Sequence, residues 1–583
     1  MGRQCRRLMP GTLTQPGRSS ESRGMSELSD ETSWNLADIW ELVADVVPAR
    51  PAQVCGDRRI TWSDFDRRAD ALAADLLDAG ISHQGKLAVY LTNGPEYLES
   101  YAAAFKIAAV PVNVNYRYGP AELEYLLDNA DTEAVVFHAR FAPNLDEVRG
   151  RLGRVRRWYV VSDGHPEPDW ATSYDEVVAR VVPRPHPDWK RSGDDLLLLY
   201  TGGTTGMPKG VMWRNDDLVR VLGGGGSPFV GLGPASGLRE MSDRLKGGSG
   251  LVTTMPACPL MHGTGQFSAF ITMILGGCVV TLPGSRFDAE ELWSAVESRR
   301  VNTVAIVGDA FARPMLEALE ANPGRWDLTS LILINSSGVM WSEEVKHGLS
   351  KHLPSVVLFD SLGSSEAVGM GASMSAGASS AKTAEFALGA GARVVDEDDR
   401  DVRAGSGEVG VIALPGHIPV GYYKDPEKSS RTFRTIDGVR YTIPGDCATV
   451  DADGSIRLLG RGSVVINTGG EKVYPEEVEE VIKKLPEVAD AVCVGVPDQR
   501  FGERVCALVE LTADEQLSDE EVIRAVRAEL AVYKAPRLVV FVESIGRSPA
   551  GKVDYPGLKK LASSATGREA PKTSSAASTT SDL

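Results

Sequence analysis

Cysteine is scarce and scattered. Seven residues (Cys5, Cys55, Cys258, Cys278, Cys447, Cys493, Cys506) occur in 583, and none forms a CxxC pair. They read as small buried hydrophobes in a reducing, cytoplasmic setting. No run approaches 18 consecutive apolar residues, so a transmembrane helix is not expected. The first 24 residues, MGRQCRRLMPGTLTQPGRSSESRG, are basic but lack the apolar region of a secretory signal. They read as a disordered extension or a mis-assigned start ahead of Met25. Positive charge is also in deficit. The 62 Lys and Arg face 79 Asp and Glu, a formal net charge of -17, which argues against general nucleic-acid binding or an anionic membrane surface. No internal repeat of fixed period occurs.

What is present is a long apolar-patterned chain, enough for a sizeable core and at least one further domain. RRITWSDFDRRADALAADLLDAGI gives a short strand and then a helix, with Phe65, Ala69, Leu72 and Leu76 at helical spacing. GKLAVYLTN and VPVNVN read as strands, and PEYLESYAAAFKIAAV between them as a buried helix. This alternation continues to about residue 360 and predicts α/β layers with largely parallel sheets. From about residue 390, short strands with DG and GS turns predict a β-rich subdomain. A compact α+β unit of about a hundred residues follows, within the usual domain range. Residues 562–583, rich in Ser, Thr and Ala, read as a disordered tail.

One segment poses a chemical question. YTGGTTGMPKG (Tyr200–Gly210) follows the strand-like DDLLLL. It is not a Walker A motif, because Lys209 stands between Pro208 and Gly210. Gly202, Gly203 and Gly206 nonetheless allow backbone N–H groups to turn toward an anion. Thr201, Thr204 and Thr205 add hydroxyls, and Lys209 adds a cation. The composition suits a polyphosphate; on this stretch alone a mobile surface loop stays open.

Six further segments follow in order: PLMHG (259–263), DSLGSSE (360–366), GEVG (407–410), YTIPGD (441–446), GRGSVVINTGGEKVYPEEVEE (460–480) and RSPAGKVD (547–554). Together with YTGGTTGMPKG they resemble the motifs of the adenylate-forming superfamily: acyl-CoA synthetases, peptide-synthetase adenylation domains and firefly-type luciferases. The resemblance spans about residues 35–560. It implies a large N-terminal domain of two αβ-layered subdomains plus a β-rich one (residues 25–460), and a small mobile α+β C-terminal domain (461–561). It also implies ATP, Mg²⁺ and coenzyme A as partners in making an acyl-AMP and then a thioester.

By that resemblance Thr201, Gly202, Gly203, Thr204, Thr205 and Lys209 would hold the β- and γ-phosphates. Glu366, with Thr201, would hold Mg²⁺, a hard cation suited to oxygen ligands. SSGVM, with Ser337 and Gly338, would lie against adenine, glycine permitting close approach. Asp360, Ser361 and Ser365 of DSLGSSE join the nucleotide set, and Leu362 replaces the family's usual aromatic, changing that wall. Asp446 would accept both ribose hydroxyls, a task for an acceptor-only group. Arg461 would add a ribose or phosphate contact. Lys552 would bridge the carboxylate and α-phosphate during adenylation. Gly469, Gly470 and Lys472 would line the pantetheine tunnel in a second domain arrangement, with Ser463 at the hinge. His262 completes the catalytic set as a pocket residue rather than a general base, and Gly263 and Gly265 would leave room for acyl atoms.

The absence of an acid in PACPLMHGTGQF argues against an amino-acid substrate. The long motifs are similar to those of actinobacterial fatty-acid and steroid-side-chain acyl-CoA ligases. That branch implies a hydrophobic carboxylic acid, a steroid side-chain acid first and a medium- or long-chain fatty acid second, with an acyl-AMP ligase loading a carrier protein as the remaining alternative. The stretch 223–250 resembles an extra segment of that branch and reads equally as an acyl entrance or a disordered loop. A homodimer is compatible with all of this.

Overall fold

The computed structural model describes residues 33–566 except 204–205, 249–251, 285, 340, 378–382, 462–464, 469–470, 499–501, 514, 531 and 549–552. Thr204, Thr205, Gly469, Gly470, Ser463 and Lys552 therefore lie outside the described residues. So do both terminal segments, 1–32 and 567–583.

Among the described residues, three sheets carry the fold. In the first, Val110–Asn113, Lys86–Tyr90, Thr132–His138, Arg157–Val161 and Thr172–Ser173 run parallel. Leu196–Gly203 joins them in parallel beside Val110–Asn113. Gly206–Arg214 and then Gly421–Tyr422 close that edge in antiparallel pairing. In the second sheet, Arg58–Thr61 lies at the edge antiparallel to Pro51–Cys55, which starts a run of six parallel-paired strands through Leu333–Ser337 to Val357–Ser364. At Ala367–Ala376 it turns antiparallel and leads into the β-rich part. The predicted layers are present, but the texture changes near residue 365, ahead of the DG-turn signals at 390. A third sheet of Ile466–Thr468, Glu471–Val473, Val488–Asp498, Gly502–Leu511 and Leu538–Val542 forms the C-terminal α+β unit.

Helix Pro95–Lys106 is buried along its whole length. It is nevertheless not wholly apolar, and its charges are paired. Glu99 accepts from Arg68 Nε at 2.8 Å and from the Tyr174 hydroxyl at 2.8 Å. Lys106 Nζ lies 3.0, 2.6 and 2.7 Å from Glu41, Asp66 and Asp70. That acidic trio has the spacing of a cation site, and Lys106 is the cation that fills it.

The described part of 223–250 is folded. It contains the bridge Ser227–Leu232 and the helix Leu238–Lys246, whose Met241 and Leu245 are buried in the main core. The disordered-loop alternative is therefore set aside there. No helix among the described residues is long and apolar enough to cross a membrane.

Candidate active site

The described residues of the glycine-rich stretch lie in two paired strands, Leu196–Gly203 and Gly206–Arg214. Tyr200 faces Gly210, and Thr201 faces Lys209. Gly210 is required by packing: a Cβ there would sit 2.7 Å from the Tyr200 ring. Thr201 is half-buried. Lys209 departs from expectation. Its ammonium is ion-paired with Asp425 instead of standing free for phosphate. That pairing follows from register, which sets Lys209 back from the hairpin tip.

Two asparagines that the sequence reading missed hold the floor of the site. Asn113, at the end of its strand, accepts from Tyr200 N at 2.6 Å and donates to Tyr200 O at 2.9 Å and to Met261 O at 2.7 Å. Asn93 accepts from Leu260 N at 2.7 Å and donates to Cys258 O at 3.1 Å. One side chain thus ties the hairpin to the PLMH turn, and the other braces that turn. The only sequence signal was a polar residue at the end of each apolar strand. His262 is half-buried and stands at the N-cap of helix Gly263–Ile274. Gly265 does not leave room for acyl atoms. A Cβ there would lie 2.5 Å from the Pro259 carbonyl oxygen, so this glycine lets the helix approach its own entry turn.

A cavity of about 300 Å³ opens here. Asn113, Tyr200 and His262 line one wall, and Gly546, Ser548, Val553 and Asp554 line the other. Ser548 and Val553, on either side of the 549–552 stretch, therefore line the same cavity as His262. The loop is tethered by Arg547, whose Nη2 donates to Asp490 at 3.0 Å.

Glu366 sits in the turn between Val357–Ser364 and Ala367–Ala376 and is buried. The Tyr422 hydroxyl donates to its Oε1 at 2.7 Å. Trp213 Nε1, from the outgoing strand of the hairpin, donates to Ser365 O at 2.9 Å. The turn that carries Glu366 and the hairpin are thus joined through two buried aromatic residues. A carboxylate oxygen is a suitable ligand for a hard cation.

Ser337 and Ser361 are paired neighbours on adjacent strands, and the Thr264 hydroxyl reaches Ser337 O at 3.4 Å. Gly338 has φ +94°, which is what demands glycine there. A Cβ there would meet its nearest protein atom, Thr264 Oγ1, only at 3.7 Å, so the space over Gly338 is open. Two members of DSLGSSE point elsewhere. Asp360 is buried and paired with Lys346 at 3.0 Å. Leu362 is absorbed in the apolar cluster that contains Met370 and Phe386, so its exchange for an aromatic does not reshape an exposed wall.

Asp446 is buried at the start of strand Asp446–Val450, in register with Arg461. The Arg461 and Lys472 side chains lie outside the described residues. Beside Asp446, Glu476 from helix Pro475–Lys483 occupies the space over Gly460; a Cβ on Gly460 would overlap its carboxylate. Burial first, then Glu479 and Asp446, push the Glu476 carboxyl up to about 8, against the pull of Lys483. The contact is therefore made by the neutral acid. Its contribution is fully present below the ordinary carboxylate value of 4.5 and is lost as pH rises through about 8. Small-angle scattering should show this helix–strand contact loosening over that window, and Glu476→Gln should abolish the pH dependence. A Glu476→Gln profile identical to wild type would assign the effect to another group.

Comparison with known proteins matches residues 40–423 to the AMP-binding enzyme family and residues 477–552 to the AMP-binding enzyme C-terminal domain. The chain belongs to the AMP-binding enzyme family. This AMP-binding enzyme is 42% identical over 540 residues to a 3-oxocholest-4-en-26-oate–CoA ligase of Rhodococcus rhodochrous, covering 89% of this chain and 94% of the relative. It is 41% identical over 535 residues to a medium/long-chain-fatty-acid–CoA/3-oxocholest-4-en-26-oate–CoA ligase of Mycobacterium tuberculosis, covering 89% and 95%. Its fold matches the crystal structure of the anthranilate CoA ligase AuaEII in complex with anthranoyl-AMP, with TM-score 0.79, 22% identity and coverage of 92% and 98%.

Proposed function

We propose that this AMP-binding enzyme is an ATP-dependent acid–thiol ligase that activates a hydrophobic carboxylic acid as its acyl-AMP and transfers the acyl group to coenzyme A. The observation that carries this is the 40–42% identity, over 89% of the chain, to ligases named for 3-oxocholest-4-en-26-oate and for medium- and long-chain fatty acids. In the first step a carboxylate oxygen attacks the α-phosphorus and pyrophosphate leaves. In the second the thiol sulfur attacks the acyl carbonyl, its proton is lost, and AMP leaves.

The residue roles follow from chemistry and position. The hairpin around Thr201–Gly203 would present backbone N–H groups to the β- and γ-phosphates. Glu366 would hold Mg²⁺, which neutralises phosphate charge when bound; its buried carboxylate, held by the Tyr422 hydroxyl, fits that cation. Ser337, Gly338, Ser361 and Ser365 would flank adenine and the α-phosphate, and Asp446 and Arg461 the ribose. Asp360 has no part in this set. Lys552 would stabilise the charge that develops between carboxylate and α-phosphate, while His262 shapes the acyl pocket. Gly469, Gly470 and Lys472 would line the thiol channel. A steroid side-chain acid is the first substrate, a medium- or long-chain fatty acid the second. A cytoplasmic homodimer completes the proposal.

The test is direct. Pure protein with ATP, Mg²⁺, coenzyme A and a panel of carboxylates should release AMP and acyl-CoA in equal amounts, followed by mass spectrometry. AMP without thioester would overturn the ligase assignment. A fatty acid that outcompetes steroid acids would move the substrate to the second class.

A further inference from the structure

We propose that Tyr422 is a positioning residue for the Glu366 carboxylate, and that the short helix Pro426–Thr432 links that carboxylate to the phosphate hairpin. The inference rests on the reading of Glu366 as the magnesium carboxylate.

Tyr422 is 3% exposed and Glu366 7% exposed, so their 2.7 Å hydrogen bond is shielded from water. The tyrosine is held from several sides. Its backbone lies opposite Val211 in the strand pairing that joins Gly421–Tyr422 to Gly206–Arg214. Its N–H donates to Ser429 Oγ at 2.8 Å. Its ring meets Phe433 edge-on at 5.8 Å, and the Lys428 ammonium stands 4.6 Å from its centroid. Such a cation is attracted by the ring face and restrains it.

Lys428 belongs to the helix that Asp425 caps. Asp425 Oδ1 accepts from Lys428 N at 2.9 Å, while its other oxygen pairs with Lys209 of the hairpin. The order Lys209, Asp425, Lys428, Tyr422, Glu366 is thus a continuous run of contacts from the hairpin to the carboxylate. A donor on Oε1 fixes the carboxylate orientation and directs the remaining lone pairs away from the tyrosine. Outer partners of this kind commonly change metal affinity by about 10- to 100-fold when removed.

The experiment is calorimetric titration of ATP at graded Mg²⁺ into wild type, Tyr422→Phe, Asp425→Asn and Glu366→Gln. Phenylalanine keeps the ring and its packing. Tyr422→Phe should raise the Mg²⁺ concentration for half-maximal ATP binding about 10-fold or more, with binding recovered at saturating Mg²⁺. Asp425→Asn keeps a capping side chain but loses the charge that holds Lys209. It should shift the midpoint in the same direction, and it carries the test if Tyr422→Phe does not fold. An unchanged midpoint in Tyr422→Phe overturns the positioning role, and an unchanged midpoint in Asp425→Asn overturns the link. Glu366→Gln with wild-type Mg²⁺ dependence would instead overturn the metal reading beneath both.

Discussion

Lys552→Ala should lower acyl-AMP formation about 100- to 1,000-fold, the usual effect of deleting one preorganised charge from a transition state. ATP–pyrophosphate exchange measures this half-reaction alone. The placement of the residues on either side of Lys552 supports so large an effect. Ser548 and Val553, on either side of the 549–552 stretch, line the same cavity as His262 and Tyr200. Arg547 and Asp490 tether one end, and helix Tyr555–Thr566 begins at the other. Transfer from chemically supplied acyl-AMP to coenzyme A does not need the charge that develops during adenylation, so the loss should fall on the exchange reaction. Acetylation of Lys552 removes the same charge, and stoichiometrically acetylated protein should match the alanine variant. Exchange within a few fold of wild type would remove Lys552 from the catalytic set.

The alternation of apolar strands and helices announced the two α/β layers because central strands such as Lys86–Tyr90, Val110–Asn113 and Cys278–Thr281 are buried on both faces and read as apolar runs. The order of the motifs announced the family. What the sequence could not convey was which way individual side chains turn. Lys209 and Asp425 are 216 residues apart and meet only because the Gly421–Tyr422 edge strand pairs with the hairpin. Asn113 carries no motif of its own; its value lies in three backbone partners from two distant segments. Gly265 and Gly338 both looked like space for ligand. At the first that space is filled by a carbonyl oxygen; at the second it is open, and the backbone dihedral itself also demands glycine. Tyr422 carries no motif signal either, since nothing local points to a partner 56 residues upstream.

Replacing Lys346 by methionine should destabilise the protein by about 3–5 kcal/mol, the effect of leaving one member of a buried ion pair alone. Lys346 and Asp360 have side chains 2% and 8% exposed, 3.0 Å apart. The Lys346 ammonium also stands 5.7 Å from the ring of buried Trp341. Burial pushes the Asp360 carboxyl up, Lys346 draws it back down, and Asp309 opposes Lys346. With the lysine gone, only desolvation and like charge remain, so Asp360 must take up a proton or the strand must open. The double variant Lys346→Met/Asp360→Leu should recover most of the loss, because apolar groups of similar volume replace such pairs at little cost. Thermal unfolding of the three variants measures the cycle. Nucleotide binding then separates two roles for Asp360. It lies on the strand that carries Ser361 and leads to Glu366, directly opposite Ser336. If Asp360 supports that strand from behind, the double variant regains ATP affinity together with stability. If Asp360 contacts nucleotide, stability returns and ATP affinity does not. The 3.0 Å pairing, on the face that also buries Leu358 and Leu362, predicts the first outcome.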